Sequence, residues 1–498
     1  MSEHDIVLRG GHVIDPETGL DAAGDVAITG STISAVVPGG SSDLYGRIEW
    51  DVSGCVVSPG FIDLHSHCDD LPSRRLQVCD GVTTALELEA GQLDIAGTYA
   101  RFAERGSPNN FGFSASWALA RMDVCGLDVS AGLPSFLANI GAPQWHRTLT
   151  GTEHGRLIDA LAAQLDAGAL GVGILLGYCV ETPAREYLEV AGLAASSDVP
   201  TFTHVRDIGR PDSGLLGAEE VVTAALSSGA HMHLCHVNST SLRMIDQVHA
   251  LLDRARAQGL RVTTEAYPYG SGATGIGAGF LATRMLELAG LAPTDIVYLP
   301  TLERVESAER LEQLRSEDPG GLAIIEFLRE ERPDDLGFLT RALLHADTAV
   351  ASDAMPLVPP AGSVADHDAW PIPVGTKTHP RTAGTFARIF RWYVREMGIL
   401  SLAEAVRRCT LVPAQILEGV SPDMKRKGRV QVGADADIVV FDAESIADRA
   451  TYASPVETSV GISHVIVNGV PVVVGGTLQV HALPGRAIRG AATPAGAR

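Results

Sequence analysis

The chain of 498 residues is 45% hydrophobic and 20% charged, which is typical of a globular protein with more than one core. Its 60 acidic residues outnumber its 38 basic residues, and the net charge of −22 argues against a nucleic-acid partner. The seven scattered cysteines do not indicate a disulfide framework. The sequence shows neither a signal-peptide pattern nor an apolar run of about twenty residues, so we expect a cytoplasmic protein without a membrane span.

The two ends of the chain are both rich in short strands. Residues 1–57 alternate β-rich runs with tight turns, and residues 426–484 return to the same pattern. An Asn-Gly turn at Asn468, between two apolar runs, is a strong hairpin signal. We therefore predict one small β-sandwich domain built from both termini. The Gly-, Ala- and Arg-rich tail at residues 485–498 is predicted to be disordered.

Between these ends, apolar strand-like runs alternate with helix-like stretches. The eight runs are Phe61–His67, Thr84–Ala90, Phe111–Trp117, Ala169–Leu176, Pro200–Val205, His231–Val237, Arg261–Tyr267 and Thr348–Asp353. Strands that alternate with helices imply a parallel sheet, and eight of them imply an α/β fold of the (β/α)8, TIM-like barrel class over residues 58–425. The charged stretch at about 275–345 is too long for one connection, so we predict an insertion over the barrel mouth.

Two histidines stand at the end of the first run, in Pro-Gly-Phe-Ile-Asp-Leu-His-Ser-His. Alternate side chains of an extended segment share a face, so the imidazoles of His65 and His67 are expected to point the same way. Imidazole is a good ligand for zinc and related metals. A lone His-X-His pair is weak evidence, however, because a hydrogen-bonded pair in a core has the same pattern.

Further potential ligands stand at the ends of later runs. His204 and His236 come at the ends of the fifth and sixth runs, and Asp353 ends the eighth. Barrel enzymes place catalytic groups at these strand ends, and a carboxylate there is costly to bury unless a cation meets it. Each residue alone also fits a hydrogen-bonded loop position. Together with His65 and His67, they predict a site for one or two metal ions.

A set of short motifs extends over nearly the whole chain. The motifs are Pro59–His67, Gly81–Thr84, Thr203–Arg206, Tyr267–Tyr269, Ser352–Asp353, His379–Phe386 and Lys427–Asp437. With these motifs the chain resembles the amidohydrolase superfamily, and specifically its N-acyl-D-amino-acid deacylase (D-aminoacylase) group. The resemblance implies hydrolysis of N-acyl-D-amino acids by a metal-activated water, with Asp353 as general base and acid. The expected metal is zinc, and the abundant carboxylates make manganese and iron the alternatives. The expected partner is a small-molecule amide, and the chain could form a homo-oligomer.

The resemblance also assigns the metal ligands. They are His65, His67 and Asp353 at one metal position, and His204 and His236 at the other. The family needs a bridging ligand, which is commonly a carboxylated Lys or, in D-aminoacylases, a Cys. Here the Cys position is Ala90, and no suitable Lys follows the fourth run. Our hypothesis is that Glu89 supplies the bridge, because carboxylates also bind zinc. The alternative is that Glu87 and Glu89 are both paired structural groups.

Substrate recognition follows from the same resemblance. Tyr267 and Arg381 are expected to bind the amino-acid carboxylate, since a guanidinium group suits two parallel carboxylate contacts. The alternative for Arg381 is a structural contact that closes its loop. Arg206 either assists in substrate binding or pairs with Asp207.

Two features of the group are changed in this chain. Its His-Lys pair is Val237-Asn238 here, and its Ser after Tyr-Pro-Tyr is Ala273, which leaves the preferred substrate open. One alternative is a cyclic-amide hydrolase of the hydantoinase or dihydroorotase kind, suggested by the segment Cys235–Asn238. The absent Lys argues against it. A second alternative is a non-catalytic scaffold with a closed structural metal site, against which the retention of Asp353 with the histidines argues.

Overall fold

A computed structural model of the chain describes residues 3–39, 43–130, 132–206, 215–360, 362–363 and 366–491. The chain divides into two compact units, each made of several segments. Unit 1 comprises Met1–Leu86, Arg101–Phe111 and Ala349–Ile488, and unit 2 comprises Glu87–Ala100, Gly112–Thr348 and Arg489–Arg498.

Strands dominate both ends of the chain, and strands and helices alternate between them. In chain order the strands are β1 (His4–Asp15), β2 (Leu20–Thr29), β3 (Thr32–Pro38), β4 (Gly46–Asp51), β5 (Val56–Pro59), β6 (Phe61–Asp63), β7 (Val82–Gln92), β8 (Asn110–Ser116), β9 (Val172–Leu175), β10 (Pro200–His204), β11 (His231–Leu234), β12 (Val262–Ala266), β13 (Ser271–Gly275), β14 (Ile296–Tyr298), β15 (Glu303–Arg304), β16 (Leu322–Glu326), β17 (Thr348–Val350), β18 (Ile438–Phe441), β19 (Ile462–Val467), β20 (Val470–Val474) and β21 (Thr477–Leu478).

The helices occupy the connections between these strands. They are α1 (Leu71–Cys79), α2 (Ile95–Arg105), α3 (Trp117–Val124), α4 (Leu133–Asn139), α5 (Gly151–Asp166), α6 (Ala184–Ser196), α7 (Leu216–Ser228), α8 (Val237–Ser241), α9 (Ile245–Ala257), α10 (Thr283–Leu288), α11 (Ala308–Glu317), α12 (Pro333–Leu344), α13 (Arg381–Arg388), α14 (Leu402–Cys409) and α15 (Leu411–Leu417). A π-helix, Ile389–Glu396, continues α13. Among the residues that the structure describes, no helix has both the length and the apolar character needed to cross a membrane.

The eight predicted runs all contain a strand, and these strands form one sheet. Its order is β17-β12-β11-β10-β9-β8-β7-β6, so every pair of neighbours in the sheet is also consecutive among these eight strands along the chain. β10, for example, pairs in parallel with both β9 and β11. Parallel neighbours need a long crossover connection, which the intervening helices provide. The prediction of a (β/α)8 barrel is therefore confirmed.

The two termini build one mixed sheet within unit 1. Its nine strands follow the order β21-β20-β19-β18-β5-β1-β2-β3, with β4 paired to β1. β18 from the C-terminal part pairs antiparallel with β5 from the N-terminal part, which joins the two ends of the chain. The predicted hairpin connects β19 and β20, and Asn468 and Gly469 both have positive φ, as a two-residue hairpin turn requires. The prediction that both termini contribute strands to one β structure is confirmed.

The stretch between β12 and β17 has secondary structure of its own within unit 2. β13, β16, β14 and β15 form a small antiparallel sheet in that order, and α10 and α11 lie between its strands in the chain. Ser307 caps α11 by accepting a hydrogen bond from Arg310 N. This stretch corresponds to the predicted insertion.

The backbone after Pro484 differs from the predicted disordered tail. Gly485 N donates to Ser107 O at 2.8 Å, and Ile488 N donates to Phe111 O at 2.7 Å. Backbone pairing of this kind needs no particular side chains, so the composition of the segment gave no sign of it. Residues 492–498 of the predicted tail lie outside the described residues.

The Lys427–Asp437 motif is closed by a buried ion pair in unit 1. Lys427 Nζ donates to Asp437 Oδ2 at 2.6 Å and to Asp435 Oδ2 at 2.9 Å. Asn110 Nδ2 and Asn468 N also donate to the Asp437 carboxylate, at 2.9 and 2.7 Å. One carboxylate thus joins the motif to the start of β8 and to the hairpin turn. The motif is structural, because it satisfies a buried charge where three chain segments meet.

We predict that Asp437→Asn lowers the free energy of unfolding by about 3 kcal/mol, the lower end of the cost of removing one partner from a buried ion pair. The lower end applies because Asp435 still contacts the Lys427 ammonium. Chemical denaturation followed by circular dichroism measures the change. The control is Lys425→Met at an exposed lysine of the same segment, with an expected effect within about 0.5 kcal/mol. Equal unfolding midpoints for the two variants would contradict the assignment.

Candidate metal centre

His65 and His67 lie just after β6, on a segment that is hydrogen-bonded on both sides. Ser66 N donates to Leu86 O, and His67 N donates to Ala354 O, both at 2.9 Å. The Nε2 atoms of the two histidines lie 3.1 Å apart, with the ring planes at 87°. Both side chains are buried. The shared face predicted from the alternation of an extended segment is therefore present, and its two nitrogens converge.

Asp353 brings a carboxylate to the same point in unit 1. Its Oδ1 lies 3.5 Å from Nε2 of both His65 and His67. Its backbone has a φ of 50°, in the left-handed region that a non-glycine residue seldom adopts. The preceding Ser352 is held by buried Asp63, whose carboxylate accepts from Ser352 N at 2.9 Å and from its hydroxyl. Two imidazoles and one carboxylate in this arrangement form a donor set that suits zinc and similar divalent ions.

A second cluster of ligand types lies in unit 2. Glu89 Oε1 lies 3.0 Å from His204 Nδ1 and 2.8 Å from His236 Nε2. The centroids of the two imidazole rings are 4.7 Å apart, and all three side chains are buried. Glu87, on the same strand, instead accepts a hydrogen bond from Ala90 N at 3.1 Å. The structure therefore separates the two glutamates: Glu89 faces the histidines, whereas Glu87 bonds to the backbone of its own strand.

Two aromatic rings pack against His204. The Phe280 ring stacks on the imidazole at 5.7 Å and 19°, and the Tyr178 ring lies 4.9 Å away. Tyr178 Oη is hydrogen-bonded to Thr274 Oγ1 at 2.7 Å. Thr274 and Phe280 both follow β12, so the stretch after this strand contacts a predicted ligand directly. No local pattern in the sequence indicated Tyr178 or Phe280, because each is an isolated aromatic residue in its segment.

Two of the predicted substrate-binding residues lie beside predicted ligands. Arg381, the first residue of α13, is buried, and its Nη2 lies 2.9 Å from Asp353 Oδ1. In unit 2 the Tyr267 ring lies 6.3 Å from the His236 ring. Tyr267 N donates to Asn238 Oδ1 at 3.2 Å, so the residue that replaces the group's Lys supports the Tyr267 backbone. The sequence did not predict this contact between Arg381 and the Asp353 carboxylate.

Arg206 has a different environment. Its Nε and Nη2 donate to the two carboxylate oxygens of Glu220 at 3.0 and 3.1 Å, and its Nη1 donates to Val180 O. Asp207, the other partner considered from the sequence, lies outside the described residues. The guanidinium of Arg206 therefore links α7 to the loop that contains Val180.

Asp80 fixes the helix that contains Arg381. Its carboxylate accepts from Phe386 N at 2.7 Å, from Ala387 N at 3.0 Å and from Ser459 Oγ at 2.6 Å. Burial raises the pKa of this carboxyl group, and the three donors act in the opposite direction. Asp80 immediately precedes the Gly81–Thr84 motif, and α13 begins within the His379–Phe386 motif. Two motifs that are distant in the sequence therefore meet through one carboxylate, a contact that the sequence did not predict.

Comparison with known proteins identifies the family. The chain matches the amidohydrolase family over residues 212–473, which is more than half of its length. An N-acyl-D-glutamate deacylase of Alcaligenes xylosoxydans xylosoxydans is 30% identical to it over 99% of this chain and 98% of the relative. The chain belongs to the amidohydrolase family. The resemblance noted in the sequence, including that to the deacylase group, is confirmed.

Further proteins that are similar to this amidohydrolase are also named as deacylases of D-amino acids. A D-aminoacylase of Alcaligenes xylosoxydans xylosoxydans is 28% identical over 94% of each chain. The crystal structure of a D-aminoacylase matches the fold with a TM-score of 0.77 and 23% identity, over 98% of this chain and 100% of that one. The structure of an N-acyl-D-glutamate deacylase from Bordetella bronchiseptica, complexed with zinc and a phosphonate inhibitor, matches with a TM-score of 0.76 and 25% identity. This match also covers 98% of this chain and 100% of that one.

We predict that Glu89→Gln weakens metal binding by more than the roughly 10–100-fold that loss of an outer partner costs, because a direct ligand is removed. Metal retained per chain is measured after dialysis against a chelator of known affinity. Glu87→Gln is the matched control, since it changes a buried glutamate of the same strand that bonds to the backbone. If the Glu89 variant retains as much metal as the wild type, Glu89 is not a ligand.

Proposed function

We propose that this amidohydrolase cleaves the amide bond of N-acyl-D-amino acids and releases a carboxylic acid and a D-amino acid. The observation that carries the proposal is the convergence of His65, His67 and Asp353 in a chain that aligns end to end with an N-acyl-D-glutamate deacylase. A dihydroorotase of Solibacter usitatus is 26% identical but aligns over only 53% of this chain. The alignment with the deacylase covers 99% of this chain and that with the dihydroorotase only 53%, which favours a linear amide as substrate over a cyclic amide.

Both ligand clusters support a divalent metal as cofactor. His65, His67 and Asp353 would hold one ion, and Glu89, His204 and His236 would hold a second, with Glu89 as the proposed shared ligand. Zinc is the proposed ion, since imidazole and carboxylate ligands suit it, and manganese and iron are the alternatives. When bound, the metal supplies Lewis acidity, which polarises the scissile carbonyl group and makes water a usable nucleophile at neutral pH.

Asp353 moves the proton in the proposed reaction. Its carboxylate accepts the proton from the attacking water and then delivers it to the leaving nitrogen, so that the C–N bond breaks with a neutral amine. Arg381, 2.9 Å from Oδ1, holds this carboxylate in position. No serine or cysteine nucleophile is required by this scheme.

Arg381 and Tyr267 are the proposed recognition residues for the substrate carboxylate. Arg381 would then serve both the substrate and Asp353, which its several guanidinium N–H groups allow. The paired contacts between Arg206 and Glu220 instead support a role for Arg206 in holding the loop at Val180.

A small-molecule amide is thus the proposed partner of the protein. We also propose a cytoplasmic setting, which is supported by the presence of seven cysteines that all remain free thiols.

The substrate proposal is tested by a hydrolysis screen of the zinc-loaded protein on paired N-acetyl-D- and N-acetyl-L-amino acids, with hydantoins and dihydroorotate alongside. We expect cleavage confined to the D-amides, and the side-chain preference follows from the same panel. Cleavage of rings only, or of L-amides only, would overturn the substrate class and leave the metal ligands unaffected.

We predict that Asp353→Asn lowers kcat by about 10²–10⁴-fold, the usual contribution of a general acid–base group. Asn keeps the shape of the side chain but cannot accept and return a proton. Turnover is measured together with metal content and circular dichroism, so that loss of metal or of fold is seen separately. A folded, metal-loaded variant with turnover within about tenfold of the wild type would exclude this role.

A further inference from the structure

Another group of metal-ligand side chains lies in unit 2, apart from the cluster of Glu89. His146, Cys179 and Glu181 each offer one ligand atom, and the three atoms lie within 4.8 Å of one another. His146 follows a short 3-10 turn before α5, whereas Cys179 and Glu181 belong to the loop that leads into α6. Their separation along the chain explains why the sequence gave no indication of this group.

The hydrogen bond of His146 defines which of its nitrogens is available. Nε2 lies 3.0 Å from Ile140 O. A carbonyl oxygen can only accept, so Nε2 bears the hydrogen, and Nδ1 of the neutral ring presents its lone pair. Nδ1 lies 4.0 Å from Glu181 Oε2, which is too far for a hydrogen bond. A histidine that donates one N–H to a carbonyl and turns the other nitrogen to an anion has the arrangement of a metal ligand.

The sulfur atom of Cys179 lies within 4.8 Å of the potential ligand atoms of His146 and Glu181. Its thiol is buried and donates to Trp145 O at 3.3 Å. Burial raises the pKa of the thiol, whereas the charge of Arg121 acts in the opposite direction. Arg121 Nε donates to the same Trp145 carbonyl at 3.1 Å, which places its positive charge near the sulfur. A metal ion would replace the thiol proton, as is usual for cysteine ligands.

We propose that His146, Cys179 and Glu181 bind a divalent, thiophilic metal ion such as zinc. One imidazole, one thiolate and one carboxylate make a tetrahedral donor set with the fourth position left for water. The charges of the thiolate and the carboxylate balance those of the ion. The Glu181 side chain is 56% exposed, so the ion enters from the solvent side.

The proposed site lies on a loop that also contacts the His204 cluster. Tyr178, adjacent to Cys179, packs against the His204 ring, and Arg206 Nη1 donates to Val180 O. A metal ion at the site would fasten this loop to the segment that precedes α5. The inference does not rest on the proposed deacylase function, because it concerns metal binding and can be measured without turnover.

The test is a cobalt titration of the full-length protein after its zinc has been removed by dialysis against a chelator, because zinc at the proposed site would exclude cobalt. We expect a thiolate-to-cobalt charge-transfer band with the intensity of one cobalt–thiolate bond per chain, because the proposed catalytic ligands contain no sulfur. Cys179→Ser abolishes the band, and Glu181→Gln, at an exposed position that leaves the fold intact, weakens cobalt binding by about tenfold or more. Cys125→Ser, at another thiol of unit 2, is the control and retains the band.

The absence of a band in the wild type would overturn the proposal, as would a band that Cys179→Ser leaves unchanged. Cobalt affinity unaffected by Glu181→Gln would remove Glu181 from the site and with it the proposed ligand set. A protein that shows the band and its loss in the Cys179 variant, but cleaves no D-amide, would support this site and refute the proposed function. The two proposals can therefore fail independently.

Discussion

The functional assignment depends on one constraint, which is the close approach of the ligand atoms of His65, His67 and Asp353 just after β6. Nε2 of His65 and of His67, and Oδ1 of Asp353, lie within 3.5 Å of one another in a buried place. Neutral imidazole nitrogens and a carboxylate repel one another unless a proton or a cation lies between them. Arg381 lies on one side of the carboxylate, at 2.9 Å, and so offsets part of its charge. The remaining acceptors are arranged as a divalent ion requires.

Such an arrangement is costly, and the surrounding structure holds it in place. Asp353 and His236 both have left-handed backbone, with φ of 50° and 29°. Non-glycine residues in this region cost of order 1–3 kcal/mol each and persist only where neighbouring contacts fix them. For Asp353 these contacts include the hydrogen bonds between Ser352 and Asp63, and for His236 the bond from its N–H to Glu265 at 3.4 Å. Two of the predicted metal ligands, Asp353 and His236, are therefore among the non-glycine residues with strained backbone, and the direction of a ligand side chain matters for metal binding.

Local patterns made part of this structure predictable. The period of two around His65 and His67 predicted convergent imidazoles, and the apolar runs separated by helices predicted the parallel barrel. The Asn468 turn predicted its hairpin, because a two-residue loop demands positive φ. These features depend on neighbours in the sequence, so a single chain is enough to recognise them.

Contacts between distant segments gave no such signal. The pairing of Arg381 with Asp353, the three donors to Asp80 and the stacking of Phe280 on His204 depend on tertiary packing. The same is true of the choice between Glu87 and Glu89, since both have the same parity on β7 and differ only in which neighbours they reach. Sequence reasoning could restrict the proposed bridging ligand to one face of the strand. Only the fold separated the two carboxylates.

The proposed bridging role of Glu89 would limit how the metal site of this chain can differ from that of the rest of the group. A cysteine thiolate, a carboxylated lysine and a glutamate each contribute one negative charge, so exchange among them leaves the charge of the ligand set unchanged. What changes is the donor atom, because a carboxylate oxygen is a harder ligand than a thiolate sulfur. Harder donors favour ions such as manganese and iron relative to a site that contains sulfur. The proposed substitution would therefore act on the choice of metal, while the proton transfer proposed for Asp353 would depend on that carboxylate and not on the bridging ligand.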